Sequence, residues 1–291
     1  MDVFHIVWDD NSGMVSLLGK HPLFLWKGNG ERSVEIQQKI VLITGASSGL
    51  GALLAKSVAA KGGIPVLTAR SVDKMKEIAG QLQGEHLILP MDVTDAEQVK
   101  AAIGQIVDTY GKIDILINNA GYGIFSKFVE TPLEQFEDLM NVNYMGTVRC
   151  TKEVLPHMLK AGSGHIVNVA SMAGKIGSAK STGYTATKHA VLGFTNSLRQ
   201  ELVGTGVHLS AINPGPIRTP FFDKADPSGA YVKNISWFML EPEKVVAAIL
   251  GAIERNIPER NMPFMASFGV KLFQLFPGLF NRIGYKMLNK K

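Results

Sequence analysis

The chain has 291 residues, 46% of them apolar and 19% charged, which is enough to build a packed core and too apolar for disorder. Its 30 basic and 25 acidic residues leave a net charge of +5, scattered rather than striped, so no nucleic-acid partner is expected. The single cysteine, Cys150, excludes an internal disulfide and a thiolate metal centre, and the seven histidines stand apart, so no metal is expected.

One cysteine suits a reducing compartment. Neither a run of about 18 uncharged apolar residues nor a basic start with an apolar core is present, so the expected location is cytoplasmic. Residues 1–37 mix Trp8, Trp26, paired Asp9 and Asp10 and several glycines without periodicity. They read as an extension outside the fold: a start-site artefact, a weakly ordered tail or a docking segment. From Lys39 the pattern becomes regular. The apolar run 40–43 predicts a strand buried on both faces, followed by a glycine-rich turn and a helix over 51–61. Strands are expected at 64–69, 87–90, 113–117, 165–169 and 207–212. Between them the pattern predicts helical stretches at 73–81, 96–110, 132–160 and 184–203. This alternation predicts an α/β fold, a doubly wound parallel sheet with helices on both faces, as one domain over 38–291.

The turn after the first strand reads Thr44-Gly45-Ala46-Ser47-Ser48-Gly49-Leu50-Gly51. Glycines there permit a tight turn and a close backbone approach to a pyrophosphate, which the N-terminus of the next helix attracts. The second strand ends Leu67-Thr68-Ala69-Arg70, without the carboxylate that would take a ribose 2′-hydroxyl. Arg70 instead offers a fork of donors suited to a phosphate, which favours NADP(H) and leaves NAD(H) as the alternative. The third strand ends Asp92-Val93-Thr94, where Asp92 and Thr94 are also expected to cap the following helix. Asn118-Asn119-Ala120-Gly121 follows the fourth.

Tyr184 and Lys188 stand at i and i+4, on one face of a helix. A tyrosine near pKa 10 is a poor base, and a neighbouring ammonium, together with the charge of an oxidised nicotinamide, is expected to lower that value. Ser171, which ends the fifth strand 13 residues earlier, offers a hydroxyl to hold a substrate oxygen. Pro214-Gly215-Pro216-Ile217-Arg218-Thr219 forms a stiff turn after the sixth strand.

The glycine spacing, the Asn-Asn-Ala-Gly segment, Ser171 and the Tyr184–Lys188 pair together resemble the short-chain dehydrogenase/reductase family over about residues 39–220. The resemblance implies a Rossmann-type fold and an enzyme that transfers a hydride between a nicotinamide and a small carbonyl or alcohol substrate. It implies Tyr184 as general acid and base, with Ser171, Lys188 and Asn143 as its partners. Asn143 is to lie at a helix kink and hold a water that relays protons to the lysine. Asn141 competes for that role, and the register of Gly146 favours Asn143. The implied cofactor contacts are Gly45, Ser47, Ser48, Gly49, Leu50 and Gly51 at the phosphates, and Arg70, Asp92 and Val93 at the adenosine. Asn118, Tyr184, Lys188, Pro214, Ile217 and Thr219 are to lie along the ribose and nicotinamide. Homodimers and homotetramers are the assemblies the family implies.

A 3-oxoacyl thioester reductase is the nearest alternative activity. A nucleotide-sensing protein that had lost the chemistry would be expected to lack Ser171, Tyr184 or Lys188, and all three are present. Residues 221–240, with Phe221, Phe222, Tyr231, Trp237 and Phe238, correspond to a substrate lid, and their aromatic character suggests an apolar or lipid-like substrate. The tail 262–291 is rich in Phe, Leu and Met, with Lys271, Arg282, Lys286, Lys290 and Lys291. It reads either as a peripheral contact with an anionic membrane or as a helix covering the lid or a subunit interface.

Overall fold

The computed structural model describes residues 6–9, 14–17 and 35–275, and the chain forms two compact units that divide between residues 33 and 34. In the first unit, β1 (Ile6–Asp9) pairs antiparallel with β2 (Met14–Leu17), Ile6 opposite Leu17 and Asp9 opposite Met14. The sequence expectations contain no counterpart to this hairpin, because two four-residue strands are too short to establish a period.

The second unit is a seven-stranded parallel sheet in the order β5-β4-β3-β6-β7-β8-β9. Its strands are β3 (Ile40–Thr44), β4 (Ile64–Ala69), β5 (Leu87–Pro90), β6 (Ile115–Asn118), β7 (Gly164–Val169), β8 (Val207–Pro214) and β9 (Glu259–Met262). The helices are α1 (Gly49–Ala60), α2 (Val72–Ala79), α3 (Ala96–Tyr110), α4 (Leu133–Met140), α5 (Gly146–Ala161), α6 (Thr182–Glu201), α7 (Phe221–Ala225), α8 (Ala230–Ile235), α9 (Pro242–Glu254) and α10 (Phe264–Leu275).

The unbroken apolar run of β3 follows from its position. Side chains alternate across a strand, so Val41 and Ile43 pack with Leu54 and Val58 of α1 and with Val245 and Ile249 of α9. Ile40 and Leu42 face the opposite way, onto Ile103 and Ile106 of α3 and Val154 and Met158 of α5. A strand with a core on each side has no solvent face to mark with polar residues.

One strand was not expected, while the expected helix kink and the tail take definite form. The edge strand β9 was not foreseen, because its sequence Glu-Arg-Asn-Met is polar and only β8 pairs with it. The long helical region is interrupted by a π-helical turn, Asn141–Met145, between α4 and α5. In the tail, the apolar stretch forms α10, while residues 276–291, including Arg282, Lys286, Lys290 and Lys291, lie outside the described residues. Among the described residues no helix is long and apolar enough to cross a membrane.

The order reverses at β3, which has β4 on one side and β6 on the other. A crevice opens at such a switch point beyond the carboxyl ends of the strands. The candidate residues fall at strand ends, in the loops that follow them, at the start of α1, in the π-helical turn or in the first two turns of α6.

Candidate active site

The turn from β3 into α1 is glycine-dependent for two reasons. Gly45 and Gly49 have φ of +68° and +52°, a region that side chains disfavour. Gly51 has an ordinary backbone, but a Cβ there would fall 2.3 Å from the Gly45 carbonyl oxygen. Thr44 and Asn119 hold the turn in place. Thr44 Oγ1 accepts from the Asn119 and Ala120 backbone N–H groups at 3.0 Å, and Asn119 Nδ2 donates to the Thr44 carbonyl at 2.9 Å. Ser48 precedes α1 and makes no capping bond, and the first turn of α1 carries no acid. Space that only glycine leaves, open backbone N–H groups and an uncommitted hydroxyl fit a dinucleotide phosphate.

Asn118 lies deeper. Its Nδ2 donates to Thr151 Oγ1 at 3.1 Å and to Asn168 Oδ1 at 2.9 Å, and Asn168 donates to Thr195 Oγ1 at 2.8 Å. The chain of amides braces β6 and β7 against α5 and α6.

Arg70 follows β4 and is exposed, with Nη1 3.9 Å from Asp92 Oδ2. Asp92 closes its own turn by accepting from the Thr94 backbone N–H at 2.9 Å and Thr94 Oγ1 at 2.8 Å. The helix cap expected of Asp92 and Thr94 belongs instead to Asp95, which accepts from Glu97 and Gln98 N–H at 3.0 and 3.1 Å. Asp92 is half-buried. Val93 beside it is buried.

Tyr184 and Lys188 occupy one face of α6, with Lys188 Nζ 5.7 Å from the tyrosine ring centroid. The ammonium donates to the Val169 carbonyl at 2.8 Å. Ser171 follows β7, accepts from Ala173 N–H at 3.1 Å and donates to the Pro214 carbonyl at 3.3 Å. Burial pushes the Tyr184 phenol up to about 12, and the nearby Ser171 hydroxyl offsets part of that rise. Burial also pushes Lys188 down to about 8. The lowered tyrosine expected from the sequence is therefore not what the protein alone provides, because desolvation of a phenolate outweighs the neighbouring groups.

The two asparagines of the π-helical turn have different surroundings. Asn143 is buried, its Oδ1 accepts from Tyr122 N–H at 3.0 Å, and its Nδ2 donates to the Tyr122 carbonyl at 2.9 Å and Thr187 Oγ1 at 3.1 Å. A Cβ on Gly121 would fall 3.0 Å from Asn143 Oδ1 and 3.8 Å from Lys188 Nζ, so the bare glycine lets both approach. Asn141 faces elsewhere and is held by Arg149 Nη2 at 2.8 Å. Sequence reasoning singled out Asn119 and Gly121 only as part of the Asn-Asn-Ala-Gly segment and gave no role to Thr187. Only the adjacency of the first two to Asn118 could have suggested their roles.

The segment after β8 is tied to Leu240, at the end of residues 221–240. Arg218 N–H donates to the Leu240 carbonyl at 3.0 Å, and Leu240 N–H donates to the Pro216 carbonyl at 2.8 Å. Ile217 lies in that bridge, and Thr219 Cβ is 3.6 Å from where a Gly49 Cβ would stand. Aromatic rings from Phe125 and from residues 221–240 gather around the tyrosine. Phe221 and Phe125 lie 5.6 and 6.2 Å from the Tyr184 ring, and Tyr231 lies 5.0 Å from Phe125. Phe125 was not foreseen. It belongs to the irregular stretch after Gly121, and its N–H donates to the Ala225 carbonyl at 2.9 Å. Trp237, expected in this cover, is 83% exposed instead.

A family model described as short chain dehydrogenase matches residues 39–228. The ketoacyl reductase HetN of Nostoc sp. is 36% identical over 225 residues, which is 76% of this chain and 77% of that protein. A short chain dehydrogenase/reductase from Burkholderia phymatum, solved in complex with NAD, has a TM-score of 0.78 at 25% identity, covering 84% of this chain and 96% of its own. An alcohol dehydrogenase from the archaeon Thermococcus sibiricus, complexed with 5-hydroxy-NADP, has a TM-score of 0.68 at 26% identity, covering 77% of this chain and 94% of its own.

Proposed function

This chain belongs to the short-chain dehydrogenase family and is an oxidoreductase, and from that premise we propose that it works with NADP(H) on an apolar carbonyl or alcohol, with Tyr184 as general acid and base. The observation that carries the reading is the convergence of Tyr184, Ser171, Lys188 and Asn143 at the same sheet edge as the glycine turn. A bound nicotinamide supplies or takes up the hydride. The protein's own residues bind, orient and move the proton.

Gly45, Ser47, Ser48, Gly49, Leu50 and Gly51 hold the phosphates at the start of α1. Arg70 takes the 2′-phosphate, and Asp92 and Val93 take the adenine. Asn118, Pro214, Ile217 and Thr219 line the ribose and nicotinamide. In reduction, Ser171 Oγ holds the substrate oxygen and Tyr184 Oη gives it a proton. A phenol held near 12 remains protonated at neutral pH and is ready to donate. The phenolate that results is stabilised by the Lys188 ammonium, and Asn143 positions the water through which the proton is replaced. Oxidation of an alcohol runs the same transfers backwards. Phe125, Phe221 and Tyr231 exclude water from the phenol and favour an apolar substrate. The relative from Nostoc makes 3-oxoacyl thioesters one class to try.

Tyr184→Phe tests the reading. Turnover of ketones, aldehydes and 3-oxoacyl thioesters with NADPH is expected to vanish while NADPH fluorescence titration stays as in wild type. Unchanged turnover refutes the mechanism. Family membership also supports a homodimer or homotetramer, which sedimentation velocity measures.

A second reading concerns the tail. Residues 263–291 contain no acid, and on α10 Phe268 and Leu275, seven apart on one stripe, are 62% and 71% exposed. Both features support a peripheral contact with an anionic membrane. Phe268→Ser with Leu275→Ser is expected to reduce co-sedimentation with phosphatidylglycerol vesicles, and equal partitioning removes the idea.

A further inference from the structure

Arg149 lies on α5 just past the π-helical turn, and neither the phosphate site nor the proton chemistry makes use of it. Its guanidinium makes three hydrogen bonds, all to neutral oxygens. Nη1 donates to the Val93 carbonyl at 3.2 Å and to the Asn141 carbonyl at 3.3 Å, and Nη2 donates to Asn141 Oδ1 at 2.8 Å. One cation thus joins the turn after β5 to the residue that opens the π-helical turn. The two segments meet again at Gly146, where a Cβ would fall 2.7 Å from Val93 Cγ2.

The Asn141 carbonyl also receives the Gly146 N–H across the widened turn. Wide turns of this kind recur at functional sites and need a reason to persist. A guanidinium supplies one: its donors are fixed in a plane, so it holds backbone and side chain of one residue in a set relation. Asn143 is two residues further on. Its amide reaches Tyr122 and Thr187 from within the same turn.

We propose that Arg149 is a positioning residue that keeps the π-helical turn in register, so that Asn143 is aimed at the proton path, and that ties this aim to the Asp92–Val93 turn on the adenine side. The proposal rests on the NADP(H) reading. Loss of the fork loosens both ends at once, although Arg149 meets neither the substrate nor the reacting atoms.

The test uses Arg149→Gln, Arg149→Lys, Asn143→Ala and the Asn143→Ala/Arg149→Gln double variant in the full chain. Calorimetry with 2′,5′-ADP, the adenine half of the cofactor, reads one end. The glutamine variant is expected to bind about 10-fold more weakly, the scale of a lost charged hydrogen bond, with partial recovery in the lysine variant. A kcat cycle reads the other end. Arg149→Gln alone is expected to slow turnover about 10-fold, and the double variant to be no slower than Asn143→Ala alone. A purely structural role would lower the melting temperature but leave the 2′,5′-ADP affinity unchanged and make the two kcat losses multiply. Either of those results overturns the proposal. If Arg149→Gln does not fold, Arg149→Lys carries both comparisons. If wild type itself fails to bind 2′,5′-ADP, the NADP(H) reading fails, and the proposal with it. Equal binding by wild type and Arg149→Gln sinks the proposal alone.

Discussion

Replacing Lys188 by methionine removes one buried positive charge while keeping most of the side-chain volume. Its ammonium is 5.7 Å from the Tyr184 ring centroid. At an effective dielectric of about 20, that separation corresponds to roughly 3 kcal/mol of attraction for a phenolate. At about 1.4 kcal/mol per pKa unit, the phenol rises by about 2 units without it. Alcohol oxidation requires the phenolate, so below the titration limb its rate follows the phenolate fraction and is expected to fall about 100-fold. The assay is kcat for alcohol oxidation at saturating NADP⁺ between pH 6 and 7.5, where Lys188, held near 8, is still charged in wild type. Saturation separates this effect from any loss of cofactor affinity. Carbonyl reduction starts from the protonated phenol and should lose less. A fall of less than about 5-fold in oxidation, or an equal fall in both directions, refutes the electrostatic account.

Other consequences are as direct. Arg70→Asp puts a carboxylate where the 2′-phosphate is to bind and should reverse the ratio of kcat/KM for NADPH over NADH; a wild type that already prefers NADH contradicts the cofactor assignment. Gly51→Ala sets a methyl group 2.3 Å from the Gly45 carbonyl oxygen, and should abolish NADPH binding by fluorescence titration while far-UV circular dichroism is retained. Normal affinity in that variant would show that the turn yields. His165 is buried, shares a 2.8 Å hydrogen bond with Ser210 Oγ, and is held down at about 3 by burial and by His208. The unfolded chain takes up that proton below about 6.5, so stability falls as pH drops, by roughly 2 kcal/mol between pH 6.5 and 5. Urea unfolding of wild type and His165→Gln at the two pH values measures it, and identical pH dependence in the two proteins would rule out His165 as the cause.

Local features of the chain carried their meaning without the fold. The Ile40–Ile43 run, the glycines at 45, 49 and 51, and the i, i+4 spacing of Tyr184 and Lys188 are written within a few residues of one another. Backbone sterics and helix periodicity act at that range, so strand order in sequence, the turn and the shared helix face were all legible. The edge strand β9 was not, because its polar residues carry no strand pattern and its partner β8 lies nearly fifty residues away. The hairpin of β1 and β2 was too short to show a pattern.

The site divides the same way. Sequence determined which residue types could carry proton transfer and phosphate binding. Only the tertiary structure brings Asn143 and Lys188 near Gly121, ties Asn141 to Arg149, and sets Phe125 and Phe221 beside the Tyr184 ring. It also decided the direction in which the phenol moves. Charge spacing along a helix predicts a lowered pKa, but burial is a sum over everything packed around the group, and that sum exists only once the chain has folded.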